Sequence, residues 1–121
     1  MTNEGTMAER RVQRSGDPWE ALELFLSNLG RRLRSEAVVL STRDGVLVSG
    51  VGDGYDLEQL GALAPCGERG EELDLRFAGG ELRSHRIEVG GASLYLASVG
   101  GEPVPLRECV AALRRIQAMA A

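Results

Sequence analysis

The sequence predicts one α+β domain, an αββαβββα sandwich whose strands close as antiparallel hairpins and whose helices cover the faces of a five-stranded sheet. Three observations carry this expectation. Leucines recur at three- and four-residue intervals after Asp17-Pro18, an Asp44-Gly45 pair joins two apolar runs, and glycine pairs at 79–80 and 90–91 separate three strand-like runs. At 121 residues the chain has the size of a single core and is too short for two.

Residues 1–16 show no apolar period, with Met7 and Val12 scattered among polar and charged groups, so nothing there offsets the entropy of ordering the backbone. That stretch is expected to be a disordered tail and 17–121 the domain. The first helix starts at Asp17-Pro18-Trp19-Glu20, with an N-cap aspartate, a proline at the first helical position and a glutamate at the third. Trp19, Leu22, Leu26, Leu29 and Leu33 form its apolar stripe over about five turns. Arg31, Arg32 and Arg34 close it, where positive charge suits the helix dipole, and Gly30 marks a close crossing. Residues 37–41 and 46–49 are β-branched or apolar on both faces, the mark of strands covered on each side. A second helix opens at Asp56 with Gln59 completing a capping box, and Pro65 and Gly67 are expected to stop it. Leu73, Leu75 and Phe77 alternate along a third strand, followed by strands over 81–89 and 93–99. The strand 81–89 is polar enough that one of its faces should be wet. Pro103 and Pro105 introduce the last helix, with Leu106, Cys109, Val110, Leu113, Ile116 and either Met119 or Ala120 on its buried stripe.

The same residues exclude several functions. A net charge of -4 opposes nucleic-acid binding, which needs a positive field. All fourteen basic residues are arginine, a count that points to no particular partner. No apolar run approaches the roughly 20 residues of a membrane-spanning helix and the start lacks the apolar core of a secretory signal, so a soluble, cytoplasmic protein is expected. Cys66, Cys109 and His85 lack metal-site spacing, leaving the cysteines as buried or half-buried thiols in a reducing compartment. The loop Gly50-Val51-Gly52-Asp53-Gly54 resembles a phosphate cradle, yet its spacing fits no phosphate-binding fingerprint and Asp53 and Asp56 repel an anion. It reads as a linker. The carboxylate pairs Glu71-Glu72 and Asp53/Asp56 fall in polar connections, and no serine sits in a nucleophile elbow. No catalytic constellation, metal site or cofactor site emerges.

What remains is surface. Leu57, Leu60 and Leu63 of the second helix either fill the core of the monomer or face a partner, and the strand Leu73–Phe77 offers a sheet edge that proteins usually pair, cover or charge. If these residues form a dimer interface, aspartate at both 57 and 60 turns a dimer into a monomer. A different class of function is a small sensory domain that holds a small molecule between sheet and helices, for which His85, Tyr95 and Arg86 are the candidate polar contacts.

The element order from 17 to 120, the stretch Ala37-Val-Val-Leu-Ser-Thr-Arg-Asp-Gly-Val-Leu-Val-Ser-Gly50, and the closing run Ser93-Leu-Tyr-Leu-Ala-Ser-Val-Gly before an arginine-bearing helix resemble the roadblock (dynein light-chain) domain family. The resemblance implies the first and third helices on one sheet face and the second on the other. It also implies dimerisation through the second helix and third strand, using Leu57, Leu60, Leu63, Leu73, Leu75 and Phe77. Bacterial, MglB-like members of that family partner Ras-like small GTPases and modulate hydrolysis by arranging the GTPase's own residues, so a non-enzymatic adaptor is implied. One departure is the second helix, which Pro65 and Gly67 shorten to about three turns, so that homodimer, heterodimer with another roadblock-like chain and monomer stay as alternatives.

Overall fold

The computed structural model describes residues 17–68, 76–77 and 80–119, so the expected tail lies outside the described residues, as do Leu73 and Leu75. Helix α1 (Pro18–Leu33) begins where the local chemistry places it: the Asp17 carboxylate accepts hydrogen bonds from the amides of Trp19 at 3.0 Å and Glu20 at 3.3 Å. Arg34 takes a left-handed conformation at the other end, and the Ser35 amide donates back to the Gly30 carbonyl at 2.9 Å. Gly30 is the close approach expected of it, made to the sheet: a side chain there would stand 3.3 Å from Val38 Cγ2.

Strands β1 (Ala37–Thr42) and β2 (Leu47–Val51) form the expected hairpin. Thr42 closes it, its amide donating to the Val46 carbonyl and its hydroxyl accepting from the Val46 amide, with Gly45 at positive φ between them. Helix α2 (Leu57–Glu68), the two-residue β3 (Arg76–Phe77), β4 (Gly80–Val89), β5 (Ala92–Val99) and helix α3 (Leu106–Met119) follow. Four strands make an antiparallel sheet in the order β2-β1-β5-β4, and Arg76 and Phe77 pair with Glu81 and Gly80 beside β4.

The sheet separates two apolar layers, because successive residues of a strand point to opposite faces. On one side Leu22, Leu26, Leu29 and Leu33 of α1 and Cys109 and Leu113 of α3 pack on Val38, Leu40, Ile87, Val89 and Leu96. On the other, Leu60 and Ala64 of α2 pack on Ala37, Val39, Tyr95, Ala97 and Val99. Strand β1 is buried on both faces as its sequence implies, whereas the edge strand β2 is half-buried throughout. The polar strand β4 has Ile87 and Val89 buried on the first face, while Arg86 and Glu88 on the second are exposed.

Three expectations need correction. Trp19 and Leu106 belong to the predicted buried stripes, yet they are 66% and 37% exposed. Both stand in the first turn of their helix, at the margin of the layer they belong to, and periodicity gives a residue's direction but not how far the opposing layer extends. Pro65 does not stop α2, which runs on to Glu68 with the proline inside it. A proline removes one amide donor from the helix ladder. Here packing compensates, since Leu60 and Ala64 are buried against the sheet and the Ser84 hydroxyl of β4 donates to the Ala64 carbonyl at 2.6 Å.

Candidate functional site

Helix α2 approaches the sheet closely at small residues. Its Gly61 lies against Leu47, where a side chain would meet the Leu47 Cβ at 3.2 Å and Cα at 3.3 Å. One residue on, the backbone of Ala62 sits over Gly45 of the hairpin, 3.1 Å from where a side chain on that glycine would be. The helix start is capped by Asp56, whose carboxylate accepts from the Gln59 amide at 3.2 Å, the aspartate half of the expected capping box. Just before it, the Tyr55 hydroxyl donates to Glu36 at 2.9 Å; that bond, followed by desolvation and the carboxylate's charge, raises the phenol above its ordinary value.

These contacts sort the predicted interface residues. Leu60 is 1% exposed and sits in the core of its own domain, so aspartate at this position would unfold the chain rather than report on a partner. Leu57 is half-buried and packs against the same cluster. Leu63 is half-buried and, among the described residues, belongs to neither core cluster; helix periodicity places it with exposed Gln59 and Ala62 and half-buried Cys66 on the outward side of α2. Phe77 lies in β3, adjacent to α2 in sequence order and at the far margin of the sheet from β2. Leu73 and Leu75 lie outside the described residues.

The three residues expected to line a small-molecule site do not converge. His85 alternates with Ile87 and Val89 toward α1 and α3, while Tyr95 belongs to the core under α2. Arg86 points to that second side too but is exposed, paired with Glu88 at 3.6 Å and donating to Ser93. A strand's two-residue period makes neighbours such as 85 and 86 face opposite ways.

The structure instead contains an apolar cavity of about 280 Å³ on the other face. It lies between the start of α1 and the end of α3, with Trp19 and Leu22 on one wall, Leu113 and Ile116 on the other, and Leu40 and Leu94 as its floor. Sequence reasoning missed it. The available signal was a tryptophan in the first turn of one helix and an isoleucine in the last turns of another, each at the end of its stripe. At the opposite end the same two helices are joined by Arg32 and Glu108 at 2.6 Å, above the buried Cys109, whose thiol burial pushes up to about 11. No group of acidic, histidine and cysteine side chains suited to a metal occurs among the described residues, and no helix among them is long and apolar enough to cross a membrane.

Comparison with known proteins agrees with this architecture. No protein-family model matches the sequence, and no curated protein matches it. Among solved structures, MglB from Myxococcus xanthus superposes with a TM-score of 0.57 at 13% identity, over 85% of this chain and 92% of that one. The gliding protein MglB from Thermus thermophilus superposes with a TM-score of 0.53 at 22% identity, over 84% and 91% of the two chains. At such identities a likeness carries the fold alone. The chain therefore has the roadblock-like α+β fold of the MglB structures over most of its length.

Proposed function

We propose that this chain is a non-enzymatic, cytoplasmic adaptor of bacterial type that self-associates, or pairs with another roadblock-like chain, and binds a Ras-like small GTPase or a polarity or motility complex. The carrying observation is the superposition on two MglB proteins across nearly their whole length. A regulator of this kind works by arranging its partner's catalytic groups and has no need of its own.

The association surface we propose is the outward side of α2 together with the strand that β3 begins to describe, completing a fifth strand from Leu73 to Phe77. Leu57, Leu63 and Phe77, with Leu73 and Leu75, supply its apolar part, and Leu60 supports it from beneath. Backbone pairing at a sheet edge and apolar contacts at its centre are the usual ingredients of such an interface. Leu63→Asp should convert a dimer to a monomer with the circular-dichroism spectrum unchanged, because this side chain lies outside both core clusters. An unchanged mass in that variant would move the interface elsewhere.

The partner is tested by capture from the source cell's lysate with the tagged protein, in the presence of a non-hydrolysable GTP analogue or of GDP, with identification by mass spectrometry. Enrichment of a Ras-like GTPase with the analogue supports a regulator acting on the GTP-bound state. Recovery of another roadblock-like chain alone points to a scaffold subunit, and recovery of neither contradicts the proposal.

A further inference from the structure

The cavity between the start of α1 and the end of α3 differs from the other hollows of the described structure in its almost wholly apolar lining. It reaches side chains of the core, since Leu22, Leu40 and Leu113 on its walls and floor are 6%, 2% and 3% exposed. Among the described residues, no ionisable side chain lines it. The polar side-chain groups at its margin are the Trp19 indole N–H and the Gln117 amide, which lies against Gly90 so closely that a side chain on that glycine would overlap it. Trp19 stands at the rim with two thirds of its surface exposed, an expensive position for the largest apolar side chain in the protein.

We propose that this cavity is a binding site for an uncharged, mostly apolar small molecule carrying at most one hydrogen-bonding group. Three features favour such an occupant over a protein surface. The volume of about 280 Å³ lies just below the range of small-molecule sites. An apolar cavity of about 150 Å³ admits benzene, so by proportion this one admits roughly eleven non-hydrogen atoms, the size of a substituted aromatic or a medium alkyl chain. A charged ligand would be desolvated without a partner, because the described residues of the walls hold no ionisable group. Gln117 can donate to or accept from a single hydroxyl or carbonyl at the mouth. This inference is independent of the GTPase reading and concerns the opposite face of the sheet from α2.

Trp19 is the sole tryptophan, so its fluorescence reports directly on the cavity. The probe is 4-phenyl-1-butanol, neutral and of the required size, and its control is 4-phenylbutyrate, the same ring and chain ending in a carboxylate. Titration of the full chain should give a saturable blue shift of the Trp19 emission with a Kd on the order of 10–100 µM, accompanied by a rise in Tm. The carboxylate should bind at least about tenfold more weakly. Ala92→Phe, at an exposed position on the lip, should fill the entrance, leave the circular-dichroism spectrum unchanged and abolish the shift. Ile116→Trp, on the wall, provides a second obstruction should the first variant fold poorly. Absence of any Trp19 or Tm response to phenylbutanol would overturn the proposal, as would equal binding of the carboxylate or binding that survives both obstructing variants.

Discussion

The two faces of the sheet are built on different principles. Under α2 small residues let the backbones approach, Gly61 against Leu47 and Ala62 against Gly45, while Leu60 and Ala64 are buried in the cluster and a hydroxyl-to-carbonyl bond is the tie. Backbones come close there. Beneath α1 and α3 most of the contacts are made by leucines, with Gly30 a small residue at a close approach. Hollows open between these two helices at both ends, a more polar one beside the Arg32–Glu108 pair and an apolar one beside Trp19. Small side chains thus bring backbones together on one face, and large ones leave a hollow open to the surface on the other.

Truncations probe this contrast most strongly. Leu60→Ala and Leu22→Ala remove the same atoms from the closed and the open face. Leu60→Ala should fall near the upper part of the usual range of about 2–5 kcal/mol, measured by urea denaturation, and Leu22→Ala near the lower part, because its site already borders a void. An equal or reversed order would break the comparison. Next in size, Gly61→Val forces a side chain toward the backbone of Leu47 and should cost about 1–3 kcal/mol by overpacking. A stabilised Gly61→Val protein would show that α2 can lift without penalty.

Smaller still is the loss of the cap. Asp17→Ala should destabilise the chain by roughly 0.5–2 kcal/mol and, by loosening the first turn that carries Trp19, shift the tryptophan emission. An unshifted spectrum in the destabilised variant would show that the cavity wall is held by packing alone. Cys109 should have no effect on the pH dependence of stability near neutrality. Its folded-state thiol is raised from 9.0 to about 11 by burial, so its contribution is fully present below about pH 9 and is lost as pH rises through about 11. Cys109→Ala should remove that alkaline slope in denaturation curves collected from pH 8 to 11.

Much of the fold was legible because it is local. The cap at Asp17, the turn at Asp44-Gly45 and the leucine period of α1 act within a few residues, and each occurs where expected. The division of helices between the two faces followed from the resemblance and matches the two clusters. The candidate site was less legible. Leu57, Leu60 and Leu63 read as one stripe, but a stripe does not state which of its members the sheet covers, and the sheet takes Leu60 first. The trio His85, Arg86 and Tyr95 failed for a reason already present in the sequence, since adjacent residues of a strand cannot share a face.

The sequence by itself determined the order of the elements and most of their starts and turns, because these depend on interactions within a few residues. Only the tertiary structure decided that α2 continues through Pro65, that Trp19 stands exposed, and that a cavity opens between α1 and α3. Each depends on the distance between surfaces far apart in the chain, and that distance is set by the size of side chains contributed by several elements at once.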